Sequence, residues 1–234
     1  MKELPFRLIG AFTFRLKNTS DLGKGTATLI SPDLILTAAH NLYSVETGKV
    51  SFDCSFYPGQ HGELTVGNEY KIESSSSFNK FVKSNSVTDD YAILKLQSQV
   101  EDVKEFMPLS VDIRDVNRKE LIISGYPKRG NYKRIDLGKT TVNQFGLSET
   151  GKVDKVFKTR PEIRYRISTF PGQSGAPIVL KDSGRFRIVG IHKGAIPNKK
   201  DLNAGRVITA ELVSTLKSEA KRMGARMFLV DSDI

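Results

Sequence analysis

Three short stretches of this sequence put reactive side chains where the backbone can present them. The first, Leu36-Thr37-Ala38-Ala39-His40, is an apolar run ending in small residues, which delivers an imidazole to a strand terminus with room for a neighbour. Imidazole titrates near neutrality, so it can take a proton from a hydroxyl and later return it. The second, Thr88-Asp89-Asp90-Tyr91-Ala92-Ile93-Leu94, sets an acidic pair at the mouth of an apolar strand. A carboxylate there can accept a hydrogen bond from an imidazole Nδ1–H and fix its tautomer. The third, Pro171-Gly172-Gln173-Ser174-Gly175-Ala176-Pro177, leads into Ile178-Val179-Leu180. Glycines flanking a serine permit a tight turn whose backbone N–H groups converge, which supplies a nucleophile and an anion-stabilising pocket together. Each stretch alone has an ordinary explanation: a strand-end histidine, two turn aspartates, a Gly/Ser/Pro turn entering a buried strand. Their joint occurrence in the order His40, Asp90, Ser174 points to acyl transfer.

Positioning these groups falls to short strands. Period-two patterns rich in β-branched residues recur at 6–16, 25–30, 34–38, 91–96, 120–124, 162–167, 177–180 and 187–192, separated by Gly, Asn, Asp and Ser. Many short strands with turn punctuation predict an all-β sandwich or barrels rather than a βαβ fold. One helix is predicted after Thr209, a suitable N-cap, with Leu212, Val213, Leu216 and Ala220 on one face and an end near Gly224. The polar stretch 74–85 reads as a surface loop. Around 110–118 the pattern weakens and charges cluster, which places a barrel-to-barrel connection there. The expected units are 1–112, carrying His40 and Asp90, then 113–208, carrying Ser174, and a C-terminal helix and tail over 209–234.

Composition narrows the function classes. The chain has 234 residues, ordinary hydrophobic content and no apolar run near the roughly 18 residues that would span a bilayer as a helix. Its start, Met1-Lys2-Glu3-Leu4-Pro5-Phe6-Arg7, reads as the approach to a first strand rather than a signal peptide, because the apolar stretch is short and Arg15 and Lys17 follow. Cys54 is the only cysteine, which excludes an intramolecular disulfide and suits a reducing compartment without requiring one. The net charge of +10 favours anionic partners, but the basic residues are spread along the whole chain. With no zinc-finger spacing, RNA-recognition signature or aromatic–basic interleaving, nucleic acid is not the expected partner.

The three segments resemble the signatures of trypsin-like (chymotrypsin-fold) serine peptidases, and further stretches resemble the V8-like glutamyl endopeptidase branch. These are Pro5-Phe6-Arg7-Leu8-Ile9-Gly10, Phe56-Tyr57-Pro58-Gly59-Gln60-His61-Gly62, Ser124-Gly125-Tyr126-Pro127 and Val189-Gly190-Ile191-His192-Lys193-Gly194-Ala195. The resemblance implies an all-β fold of two antiparallel barrels with a C-terminal helix. It implies a serine endopeptidase working on protein or peptide substrates without metal or cofactor. His40 is then the base, Asp90 its orienting acid and Ser174 the nucleophile, with the Gly172 and Ser174 N–H groups as oxyanion donors. It further implies that Thr169 and His192 contact an acidic P1 side chain, Glu over Asp, with Lys193 and Gly194 along the substrate edge. His61 is given no role.

Three departures stand out. Asn41 occupies a position where many such relatives carry a disulfide cysteine, Lys193 replaces an aromatic, and Gln173 replaces the aspartate that pairs with a freed N-terminus in digestive zymogens. The family resemblance favours secretion, whereas the leader and disulfide readings allow a cytoplasmic location. Two other readings compete: a catalytically silent module keeping the trypsin-like fold, and a basic protein that binds nucleic acid or other anions.

Overall fold

The computed structural model describes residues 6–16, 22–59, 69–101, 103–113, 116, 120–127, 134–137, 140–143, 147–157, 159–199, 201–227 and 230–231; the opening 1–5 and His61 lie outside them. The first half forms strands β1 (Ile9–Leu16), β2 (Leu22–Ser31), β3 (Leu34–Thr37), β4 (Tyr43–Ser44), β5 (Lys49–Pro58), β6 (Tyr70–Ser75) and β7 (Ala92–Leu96), with helix α1 (Asn79–Ser84) between the last two. They hydrogen-bond in the order β1-β2-β3-β7-β6-β5, and β5 returns to β1 to close the ring, with β4 added on β5. Closure leaves no open edge in that ring and turns alternate side chains inward. Phe12, Leu29, Leu36, Phe56 and Ile93 fill the interior.

The second half contributes β8 (Leu109–Ser110), β9 (Glu120–Gly125), β10 (Arg134–Leu137), β11 (Thr140–Asn143), β12 (Leu147–Val156), β13 (Glu162–Arg166), β14 (Pro177–Asp182), β15 (Arg185–Ala195), β16 (Asn203–Val207) and β17 (Val230–Asp231). The order β14-β9-β12-β13-β16-β15 closes through a β14–β15 pairing, and β8 and β17 extend the sheet beyond β15 by parallel contacts. Ile123, Tyr165, Ile178 and Val189 pack its interior. Two closed six-stranded antiparallel barrels and a C-terminal helix make the chymotrypsin-like fold that the family resemblance implied, and settle the strand pattern's choice of sandwich or barrels.

Helix α2 (Ala210–Arg222) starts where Thr209 predicted it: the Thr209 hydroxyl accepts the Leu212 N–H at 3.2 Å. Leu212, Val213, Leu216 and Ala220 are buried along one stripe against the core. Two local expectations change. Residues 6–8 form a 3₁₀ turn before β1 rather than part of the strand. The stretch expected as loop at 74–85 holds the end of β6 and all of α1, which Phe81 anchors by full burial.

Candidate active site

The site lies where the barrels touch, and each reactive residue stands at the end of a strand. Strand β3 runs fully buried to Thr37, and the chain then tightens into a 3₁₀ turn over Ala39–Asn41 that carries His40. Asp90 closes another 3₁₀ turn, Val87–Asp89, just before β7, which pairs with β3. The β3–β7 register sets Thr37 opposite Ala92, so the two turns project from the same end of the sheet. Asp90 Oδ2 lies 2.7 Å from His40 Nδ1, and Asp90 Oδ1 accepts the His40 backbone N–H at 3.0 Å. The carboxylate therefore grips both the ring and the backbone of the histidine. A carboxylate only accepts, so that geometry places a proton on Nδ1 of the neutral ring and leaves Nε2 with its lone pair.

Asp90 is almost wholly buried. Burial alone raises a carboxyl pKa, but here the charge of His40, two hydrogen bonds from it and the nearby Lys193 cation together hold Asp90 below its ordinary value. The acid thus stays ionised beside the imidazole. Lys193 Nζ stands 5.8 Å from the Phe81 ring centre, and that ring lies 6.5 Å from the His40 ring. The replacement of an aromatic by Lys193 therefore brings a cation close to the His40–Asp90 pair.

Ser174 comes from the turn before β14. Its hydroxyl donates to the Lys193 carbonyl at 3.1 Å, so in this structure the Oγ–H is directed at β15. Gly175, next in sequence, has φ of +86°, and a Cβ there would come within 2.2 Å of the Thr26 carbonyl and 2.3 Å of the Thr37 hydroxyl. Only glycine fits that approach. Gly172 also has positive φ, +101°. Among the described residues neither the Gly172 nor the Ser174 N–H donates to a protein acceptor, whereas those of Gln173, Gly175 and Ala176 are taken up by Phe170, His192 and Gln173 carbonyls. Gln173 is fully buried, and its Oε1 accepts the Phe170 N–H at 2.8 Å, so a neutral amide braces the loop where zymogens use an aspartate.

Two residues without an expected active-site role join the halves of the site. Asn41 Nδ2 donates to the Ser174 carbonyl and to the Thr37 hydroxyl, both at 3.0 Å. Thr26 gives its N–H to the same Ser174 carbonyl at 2.8 Å and its hydroxyl proton to the Gly172 carbonyl at 2.9 Å, while its oxygen accepts the Tyr126 N–H at 2.9 Å. The neighbour of His40 is thus bonded directly to Ser174. Asn41 fits because Gly25 faces it: a Cβ on Gly25 would lie 2.5 Å from Asn41 Nδ2. The sequence signal for Asn41 was its position next to His40 in place of a cysteine; Thr26 left none.

The expected pocket residues lie on either side of β16, His192 on the paired strand β15 and Thr169 bonded to Asn203. His192 is buried and its Nδ1 lies 2.6 Å from the Tyr165 hydroxyl, which also donates toward the Ala204 carbonyl at 3.2 Å. Burial, with some repulsion from His40, pushes the His192 pKa down to about 3, so the ring is neutral. Thr169 Oγ1 donates to Asn203 Oδ1 at 2.9 Å. Gly194 has φ of +145°, and nothing lies within 4 Å of where its Cβ would be. Among the described residues no cluster of side chains is arranged to hold a metal ion, and no helix is long and apolar enough to cross a membrane.

Two barrels with a buried aspartate gripping a partly exposed histidine at their junction, and a serine turn bonded to that histidine's neighbour, define the trypsin-like class. Residues 25–191 match the family model for the trypsin-like peptidase domain, and the chain belongs to that family. It is 24% identical over 207 residues to a glutamyl endopeptidase of Bacillus licheniformis, an alignment that takes in 85% of this chain. The chain spans about 60% of that relative's length. A solved Glu endopeptidase in complex with MPD superposes with a TM-score of 0.73 at 22% identity, covering 93% of this chain and 92% of the other. The protease Anisep from Arthrobacter nicotinovorans superposes with a TM-score of 0.72 at 14% identity, covering 94% and 98%.

Proposed function

We propose that the chain is a serine endopeptidase in which Ser174 attacks the peptide carbonyl, His40 takes its proton, and Asp90 orients and stabilises the imidazolium. The observation that carries this reading is the 2.7 Å His40–Asp90 contact on the residue whose neighbour, Asn41, is bonded to Ser174. Rotation of Ser174 about χ1 releases Oγ from the Lys193 carbonyl and turns it toward His40 Nε2. The free N–H groups of Gly172 and Ser174 receive the oxyanion, and losing one such donor typically costs about 2.7–4 kcal/mol of barrier. The protonated His40 then gives its proton to the leaving amine. Water, deprotonated by the same ring, hydrolyses the acyl-enzyme. The parts lie on two closed barrels with their supporting hydrogen bonds buried or partly buried, which suits a preorganised site.

Substrates on this reading are proteins or peptides with an acidic P1 residue, Glu over Asp. Support comes from Thr169, bonded to Asn203 on β16, from His192 on the paired strand β15, from Lys193 next to it, and from the net positive charge. Profiling on a peptide library tests both levels. The natural chain is expected to cut after Glu and less efficiently after Asp, with little after Lys, Arg or Phe, and Ser174→Ala to cut nothing. Equal cutting after basic or apolar residues rejects the acidic preference and leaves the peptidase. Unchanged cutting by Ser174→Ala rejects the peptidase mechanism.

A further inference from the structure

Strand β15 leaves one edge open beside the reacting serine. Over His192–Ala195 it pairs with β16 on one side. On the other side β14 ends at Pro177, opposite Ile191, and the serine turn takes over: the His192 carbonyl accepts the Gly175 N–H, and the His192 N–H donates to the Ala176 carbonyl, both at 2.8 Å. Beyond His192 that edge carries no strand among the described residues, and the Lys193 carbonyl accepts the Ser174 hydroxyl at 3.1 Å. An extended peptide can join such an edge through its main chain. Its attacked carbonyl must come to Ser174 Oγ, and residues of an extended chain follow one another at about 3.3 Å. The substrate residues facing Lys193 are therefore those next to the scissile bond.

Lys193 is the extra residue of a β-bulge, since His192 pairs with Gly205 and Gly194 with Ala204. A bulge re-aims a side chain, and here the two neighbours point apart. His192 is buried against Tyr165 in the second barrel. The Lys193 ammonium instead reaches toward the first barrel, 5.8 Å from the centre of the Phe81 ring, which lies 6.5 Å from the His40 ring. Phe81 is buried, whereas Lys193 is partly exposed, so the cleft presents charge at this point rather than an aromatic face. Among the described residues the ammonium has no hydrogen-bond or ion-pair partner. Asp90 attracts it through space, while both Asp90 oxygens bind His40. Helix α1 brings Lys80 and Lys83, both exposed, on either side of Phe81 in sequence, and no acidic residue.

We propose that Lys193 is a specificity residue for an acidic side chain at P2, the residue before P1, whose carboxylate it binds across the cleft beside His40. This rests on Ser174 as the nucleophile and on P1 lying to the His192 side of β15. Side chains of an extended peptide alternate between faces, so with P1 on that side P2 lies on the other, the side to which Lys193 turns. An aromatic residue at position 193 would offer P2 apolar surface; lysine offers a carboxylate a charge-assisted hydrogen bond.

The test is kcat/KM for peptides that differ only at P2 (Glu, Gln or Lys), with P1 fixed as the residue cut fastest in the library profile. A parallel series places the same three residues at P1′. The natural chain, Lys193→Met and Lys193→Glu are compared, each checked for an intact site by fluorophosphonate labelling of Ser174, a reagent with no P2 residue. Loss of the cation also acts on Asp90, but that carboxylate serves every peptide alike, so the quantity compared is the ratio between P2 residues within one protein. In the natural chain at low salt, P2 Glu is expected about 5- to 50-fold above P2 Gln, with P2 Lys lowest. The ratio should shrink toward one near 1 M salt, where charges are screened within about 3 Å. Lys193→Met should abolish the preference and Lys193→Glu reverse it in favour of P2 Lys. A Glu-to-Gln ratio within about twofold in the natural chain, or a preference that survives Lys193→Met, overturns the proposal and leaves the peptidase standing. Acid selected at P1′ rather than P2 overturns the placement of the substrate. A natural chain that cuts no peptide in the library rejects the peptidase reading, and this proposal with it.

Discussion

Replacing Asn41 by leucine removes two hydrogen bonds at the barrel junction while keeping side-chain shape. The Ser174 carbonyl keeps the Thr26 N–H at 2.8 Å, and the Thr37 hydroxyl keeps donating to the Thr26 carbonyl at 2.8 Å. No buried acceptor is orphaned, so the cost is the net worth of two bonds, about 1–3 kcal/mol in total at roughly 0.5–1.5 kcal/mol each. In urea that lowers the unfolding midpoint by about 0.5–1.5 M for a slope near 2 kcal/mol per M. A second effect separates positioning from mere support. Asn41 is covalently next to His40 and bonded to Ser174, so its loss loosens base against nucleophile, and small misplacements in such pairs cost up to about 100-fold in rate. Fluorophosphonate labelling of Ser174 is expected to slow at least about tenfold on that basis, and kcat to fall with KM little changed, because no P1 contact is touched. Lowered stability with an unchanged labelling rate in the folded variant would refute the positioning role.

Two further outcomes are expected. His192 has a folded pKa near 3 against 6.5 in the unfolded chain, so the unfolded state binds more protons between those values. Its contribution is present above pH 6.5 and is lost as pH falls toward 3, by up to about 4 kcal/mol, and urea midpoints should fall across that window less steeply in His192→Gln. Gly175→Ala forces a Cβ into the Thr26 carbonyl and the Thr37 hydroxyl at positive φ, so Ser174 labelling should be lost even where circular dichroism shows folded barrels.

How much of this was legible in the sequence depends on the range of the interaction. The apolar runs of β3, β7 and β14 announced themselves, and each lies beside a reactive residue, so the motifs could be placed on strand ends. Strand β5 escaped because Val50 and Phe52 point outward, about half exposed, while polar Ser51 and Ser55 lie further in. Helix α1 escaped because it spans only six residues, with no side-chain cap and a single buried anchor, Phe81. Candidate site residues were found as types in a local pattern, but their hydrogen-bond polarity was not. Whether Thr169 donates or accepts is set by Asn203, which lies 34 positions away and is itself fixed by Ile167. Thr26, separated by 146 residues from the glycine it holds, is invisible to any local rule.

The central claim, that Ser174 is a nucleophile driven by His40, is tested most directly by treating the folded chain with a fluorophosphonate and mapping the adduct by mass spectrometry of its peptides. The expected result is a single adduct on Ser174, absent in Ser174→Ala and formed about 100- to 10,000-fold more slowly in His40→Ala, the range that loss of a general base produces. An adduct on another residue, or labelling of Ser174 at the same rate without His40, would contradict it.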